Sequence, residues 1–307
     1  MPLVPGKDIL KAADKGHYAI GAFNINNMEI AQGILKAATA EKAPVFLSTS
    51  EGAVQYAGLK TLVALVRSLA EDTPVPVALH LDHGKDLKII QACIDGGFTS
   101  VMIDGSEHPF AENLKKTRQV VEMAHKKGVS VEAELGRLVG VEDNVSVAER
   151  DAVFVDPEEA AQFAKETGID SLAPAVGTSH GAVKIKGEAK LDFDRLAACK
   201  KKTGLPLVLH GASGVPDWVL QRAVKFGAKV EGAKGVPEDQ IRGAIANGVC
   251  KINIDTDLRL AMIGAIREVL QTKPAEFDPR KVFGPGRDAV EKVVREKFAM
   301  FGCAGKA

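Results

Sequence analysis

The chain has 307 residues, 46% hydrophobic and 26% charged, enough for a substantial core in one large domain. Forty basic and forty acidic residues cancel, and no Lys/Arg run of the kind that tracks nucleic acid or an anionic membrane surface is present, so any anion specificity is local. Cys93, Cys199, Cys250 and Cys303 are scattered without a CxxC pair, which suits reduced thiols in the cytoplasm better than a disulfide framework. The N-terminal segment lacks a secretory pattern and no stretch approaches the ~18 consecutive apolar residues of a membrane span, so neither export nor anchoring is expected.

In chain order, eight apolar runs read as strands: residues 18–24, 44–50, 75–82, 100–105, 129–136, 171–177, 205–211 and 250–256. Between them lie segments with apolar residues at helical spacing, such as MEIAQGILKAATAEK, LKTLVALVRSLAED, ENLKKTRQVVEMAHKKG and PEEAAQFAKETG. Gly128, Gly168 and Gly204 stand where helix C-terminal caps are expected. Eight βα units at this length predict a single-domain α/β protein, a (β/α)8 TIM barrel. An open doubly wound sheet is the runner-up, weakened because no GxGxxG follows the first strand. Two connections exceed ordinary loop length. Residues 137–156 read as a mobile active-site loop, and 215–249 as an inserted helical segment.

A barrel of this kind assembles its active site at the C-terminal ends of its strands. This chain places there Asn24, Ser50, Asp82 with His83, Asp104, Glu134, His180, His210, and Asn253 with Asp255. Turn chemistry accounts for one or two of these polar residues, but not for three histidines and three carboxylates on different strands. Convergent imidazoles make a metal site, and catalytic zinc typically takes three protein ligands and keeps a fourth position open. His80 and Asp82 share the inward face by strand alternation, so ligation by His83 requires the chain to leave strand geometry there, a turn that Gly84 makes easy. Glu132 and Glu134 share a face too, Glu134 nearer the rim and Glu132 suited to an interior polar network. His80 reads equally as a hydrogen-bonded interior histidine. Lys251 begins the eighth strand, toward the opposite mouth, which argues against a Schiff-base lysine. The turns HGASG (210–214) and NIDT (253–256), with HGAVK (180–184), have small residues whose backbone N–H groups can approach a phosphate, helped by Ser213, Thr256 and Lys184.

Six ordered motifs, HLDHG (80–84), SVMIDGS (100–106), VEAELG (131–136), GTSHG (177–181), LVLHGASG (207–214) and KINIDT (251–256), resemble the class II, zinc-dependent fructose-1,6-bisphosphate aldolases. The moderate length is similar to the class IIB branch, which also holds tagatose-bisphosphate aldolases. The resemblance implies reversible aldol cleavage to dihydroxyacetone phosphate and glyceraldehyde 3-phosphate through a metal-stabilised enediolate, in glycolysis and gluconeogenesis. It implies zinc on His83, His180 and His210, with Asp104 and Glu134 at a second or alternative divalent position. It also admits Co2+ in place of zinc, and a bound monovalent cation. Asp82 would be the acid/base at the aldehyde oxygen, and Glu142 the base at the dihydroxyacetone phosphate carbon. Asn24, Ser50, Gly181, Lys184, Gly211, Ala212, Ser213, Asn253, Ile254, Asp255 and Thr256 would contact substrate, Ser50 at the glyceraldehyde 3-phosphate end. Arg280 in DPRK would reach into a neighbouring subunit's site, making the protein a homodimer or homotetramer. The alternatives are a tagatose-1,6-bisphosphate aldolase and, from another class, a metal-dependent barrel hydrolase; the latter often begins with HxH on strand one, where this chain has AFNIN.

Overall fold

Each apolar run forms a strand, and the eight strands close into one parallel barrel. In chain order they are β1 (Ile20–Asn24), β2 (Val45–Ser50), β3 (Val77–Gly84), β4 (Ser100–Ile103), β5 (Ser130–Leu135), β8 (Ser171–Pro174), β10 (Leu207–Leu209) and β11 (Val249–Ile254). Neighbours follow chain order around the ring, with β11 pairing β1 to close it. This computed structural model describes residues 3–136, 139–142, 145–147, 154–180, 190–230 and 236–307, with backbone only for 139–142, 145–147 and 179–180. Closure excludes the open doubly wound sheet.

Several strands are shorter than expected. β8 stops at Pro174, and β10 spans only Leu207–Leu209, between Pro206, which has no N–H to donate, and Gly211, whose φ of 59° leaves strand geometry. The barrel helices cover the apolar outer face of the strands, and α2 (Met28–Glu41), α4 (Leu59–Glu71), α6 (Phe110–His125) and α7 (Pro157–Thr167) match the helical patterns. Side-chain caps set several starts: Asn27 accepts from the Ile30 N–H, and Asp156 from that of Glu158. Gly168 and Gly204 cap α7 and α8 (Phe193–Thr203) with positive φ, whereas Gly128 lies beyond the cap of α6, at Lys126. Helix α1 (Gly6–Gly16) packs at the N-terminal end of the barrel, where the Lys7 N–H donates to Ser130 Oγ and a Cβ on Gly6 would lie 2.8 Å from Phe46. The C-terminal end is left to the polar residues.

The 215–249 stretch contains two helices, α9 (Asp217–Lys225) and α10 (Glu238–Ala246). The 137–156 stretch, expected to be a loop, contains two strands. β6 (Val139–Glu142) pairs antiparallel with β7 (Val145–Val147) and parallel with β9 (Ser179–His180). Valines at 139, 141, 145 and 147 alternate with other residues, a period that favours strand pairing. Ser50 leads into α3 (Glu51–Ala57), and the chain ends with α11 (Thr256–Thr272) and α12 (Pro279–Phe301). No helix among the described residues is long and apolar enough to cross a membrane.

Candidate active site

The site begins with an irregularity in β3. His83 has φ 47°, and the register between β3 and β4 shifts between Leu81 and Gly84. Left-handed backbone costs an L-residue roughly 1–2 kcal/mol, and it brings the His83 ring to the same side as Asp82. The departure from strand geometry expected at His83 is carried by that residue itself. Gly84 is needed for space, since a Cβ there would lie 2.5 Å from the Met102 carbonyl.

His83 Nε2 lies 2.9 Å from His210 Nδ1, with the rings edge to face. Each ring is held from behind by a carboxylate: His83 Nδ1 is 3.0 Å from Asp104 Oδ2, and His210 Nε2 is 2.8 Å from Glu132 Oε1. A carboxylate accepts, so each rear nitrogen donates its N–H, and the close front pair is satisfied by one shared proton or by a cation held between two lone pairs. Two lone pairs at this distance repel unless a positive charge lies between them. Burial opposes charge on His83, yet Asp82, Asp104 and Glu134 together raise it well above the ordinary histidine value. The cluster therefore calls for a cation, and its imidazole and carboxylate donors suit a divalent metal. One potential donor set is Asp82, His83 and His210; a second is His83, Asp104 and Glu134. Burial and the charge of Asp104 push Glu134 well above the usual carboxylate range, and its Oε2 is buried without a hydrogen-bond partner among the described residues.

Beneath this pair runs a buried polar column. Lys251 Nζ is 2.8 Å from Glu132 Oε2 and 3.3 Å from His80 Nε2, whose Nδ1 is 2.8 Å from Ser100 Oγ. This corrects the reading of Lys251 as a residue of the opposite mouth. Its backbone is low in β11, but its four-carbon stem reaches the Glu132 that holds His210. Burial, reinforced by the Lys251 charge, keeps His80 well below the ordinary histidine value, as an interior neutral histidine.

Asp82 is gripped at both oxygens: Asn24 Nδ2 donates to Oδ2 at 3.0 Å and Asn253 Nδ2 to Oδ1 at 2.7 Å. Burial pushes this carboxyl up, but His83, His210, Lys251 and the Asn24 amide together hold it below the usual carboxylate range. It is therefore ionised and oriented. The other amide oxygens, Asn24 Oδ1 and Asn253 Oδ1, are buried acceptors without a hydrogen-bond partner among the described residues.

Beside His210 lie the turns after β10 and β11. Gly211, Ala212 and Ser213 follow His210, and the Asp255 N–H approaches Ser213 Oγ at 3.5 Å. Asn253 and Ile254 end β11, and Thr256 opens α11. Asp255 takes a two-pronged ion pair from Arg259, a residue the sequence reading missed although its i,i+4 spacing on a helix was available. Ser50 caps α3 by accepting from the Ala53 N–H, and with Asn27, Arg259 and Phe283 it lines a cavity of about 510 Å³. Arg280 is 89% exposed at the start of α12, paired with Asp278. His180 and Glu142 lie on β9 and β6, whose paired strands bring Gly140 opposite His180; their side chains, and Gly181 and Lys184 altogether, lie outside the described residues.

The fold and site define a (β/α)8-barrel protein with a histidine and carboxylate cluster, suited to a divalent metal, at its C-terminal mouth. The profile of the family described as "Fructose-bisphosphate aldolase class-II" matches residues 4–231 and 229–306. A fructose-bisphosphate aldolase of Helicobacter pylori is 50% identical over 305 residues, covering 99% of both chains, and one of Thermus caldophilus is 50% identical over 305 residues, covering 99% of this chain and all of its own. Among solved structures, the YdjI aldolase of Escherichia coli K12 superposes with a TM-score of 0.81 at 32% identity, covering 99% of each chain. The chain belongs to the class II fructose-bisphosphate aldolases, and it is a lyase.

Proposed function

We propose that the chain cleaves fructose 1,6-bisphosphate reversibly to dihydroxyacetone phosphate and glyceraldehyde 3-phosphate with zinc bound by His83, His180 and His210. The observation that carries this reading is Asp82, ionised, fixed at both oxygens and adjacent to the two imidazoles. His83 would offer Nε2 and His210 Nδ1, since their other nitrogens are held by Asp104 and Glu132. When bound, the metal supplies Lewis-acid polarisation of the ketose carbonyl. Co2+ is a compatible substitute, and His83, Asp104 and Glu134 form the alternative divalent position.

In cleavage, Asp82 accepts the C4 hydroxyl proton, the C3–C4 bond breaks as the C4 aldehyde forms, and its electron pair stays with C3. Glu142 returns a proton to C3; in condensation it removes that proton and Asp82 gives its own to the aldehyde oxygen. Each positioned proton transfer is worth roughly 10²- to 10⁴-fold. The buried acceptors Asn24 Oδ1 and Asn253 Oδ1 suit substrate hydroxyls. The 211–213 and 253–256 turns, with Gly181 and Lys184, hold the dihydroxyacetone phosphate end. Ser50 meets the other phosphate, joined by Arg280 from a second subunit of a homodimer or homotetramer; the exposure of Arg280 supports that reach. The buried, unpaired thiols support a cytoplasmic setting.

The test is cleavage by zinc-replete protein, coupled to triose phosphate detection, with fructose and tagatose 1,6-bisphosphates side by side. The fructose compound is expected to be the faster substrate, and EDTA to abolish turnover. Faster cleavage of the tagatose compound would reassign the substrate; ester or amide hydrolysis without triose phosphate would favour a hydrolase; full activity after metal removal would refute the zinc assignment.

A further inference from the structure

Helix α12 carries a buried charge that the reaction does not use. Lys297 is 2% exposed, and its Nζ donates to the Gly214 carbonyl at 2.8 Å and lies 2.7 Å from Asp257 Oδ2. Asp257 is fully buried and has no hydrogen-bond partner among the described residues, so the ammonium is its counter-charge. The contacts lie on two different segments. Gly214 closes the turn after β10, and Asp257, in the first turn of α11, directly follows the turn after β11.

We propose that Lys297 is a positioning residue that locks the two phosphate-holding turns into one rigid cradle from behind. This inference rests on the assignment of those turns to the dihydroxyacetone phosphate end. A phosphate held by backbone N–H groups of both turns is bound well only if their separation is set before it arrives, since ordering them on binding subtracts from affinity. Lys297 sets that separation, because one ammonium ties a carbonyl of the first turn to a carboxylate just past the second. It also orients the turn: in a planar trans peptide the C=O and N–H point opposite ways, so holding the Gly214 carbonyl toward α12 directs the Val215 N–H away from it. Val236 also clamps the turn: its N–H approaches the Ser213 carbonyl at 3.3 Å, while a Cβ on Gly214 would lie 2.9 Å from the Val236 carbonyl. The lysine charge is neutralised by Asp257, so its part is placement rather than attraction of the anion.

Lys297→Met alone would leave a buried unpaired carboxylate and risk unfolding. The decisive variant is therefore Lys297→Met/Asp257→Asn, which removes both charges and keeps the volume. With zinc-loaded protein, we expect the double variant to fold and to bind zinc with unchanged affinity in a chelator competition. Its KM for fructose 1,6-bisphosphate and its inhibition constant for inorganic phosphate should rise about tenfold, the worth of one lost charge-assisted hydrogen bond, with kcat changed much less. A folded double variant with native KM and native phosphate inhibition would overturn the proposal and leave Lys297 a purely structural ion pair. A parallel loss of zinc affinity would overturn it too, by locating the effect at the metal. Ser213→Ala is the control for the underlying assignment. If that variant weakens phosphate binding while the double variant does not, only the role of Lys297 fails; if it leaves phosphate binding unchanged, the phosphate assignment of the turn fails and the proposal with it.

Discussion

Around β3, β4 and β5 the barrel mouth is built from ionisable side chains, whereas around β10 and β11 it is built largely from short turns of small residues. Carboxylates of the first side back each described imidazole of the cluster, Asp104 for His83 and, reaching across from β5, Glu132 for His210 at the end of β10. Asp104 is secured by the Ser106 N–H and hydroxyl, and Glu132 by Lys251. On the second side the turns are held through main-chain atoms, by Val236 and by Lys297 reaching in from the last helix. The contrast follows from what each half presents. A buried charged group is tolerable only with its counter-charge and hydrogen bonds close by, so the metal half carries its support inside the mouth. Backbone N–H groups need no counter-charge but do need a fixed path, so the other half draws its support from the surrounding helices.

If the two halves divide the work in this way, damage to each should look different. His83→Ala or His210→Ala should lose zinc and lower cleavage by about 10³-fold or more, since metal polarisation is worth several kcal/mol; metal analysis with a coupled rate assay checks this, and tight zinc retention would break the comparison. Asp82→Ala should keep zinc yet lose about 10²- to 10⁴-fold in kcat, the usual worth of a positioned acid/base. A loss of zinc there would make Asp82 a ligand instead. Asp104→Asn and Glu132→Gln act one shell further out, and chelator competition should report about 10- to 100-fold weaker zinc binding. Unchanged affinity would mean the rear carboxylates are not what aims the rings. The smallest effect concerns the thiols. Burial pushes Cys93, Cys250 and Cys303 up to about 12 and Cys199 to about 11. These thiols stay protonated at pH 8, so a thiol-reactive dye should label the native protein very slowly and all four cysteines after unfolding.

Much of the barrel was legible without coordinates. The eight apolar runs and their polar ends could be read because strand burial and strand-end chemistry are local properties, and the need for His83 to leave strand geometry followed from its adjacency to Asp82. The small sheet of β6, β7 and β9 was read as loop, although the alternating valines announced it. Glycine at 84 was credited with easing the turn at His83, whereas it leaves room for the Met102 carbonyl, because sequence alone does not distinguish a residue that eases a bend from one that must leave room.

The sequence by itself determined the fold class, the family and which residues end the strands, since these depend on periodicity, residue type and order. Only the tertiary structure decided who supports whom. The Lys251–Glu132 contact spans 119 residues, the Asn253–Asp82 contact 171 and the Lys297–Gly214 contact 83, with no spacing rule to announce them. Barrel closure brings such pairs together, and a buried charge or amide then takes the partner that packing supplies.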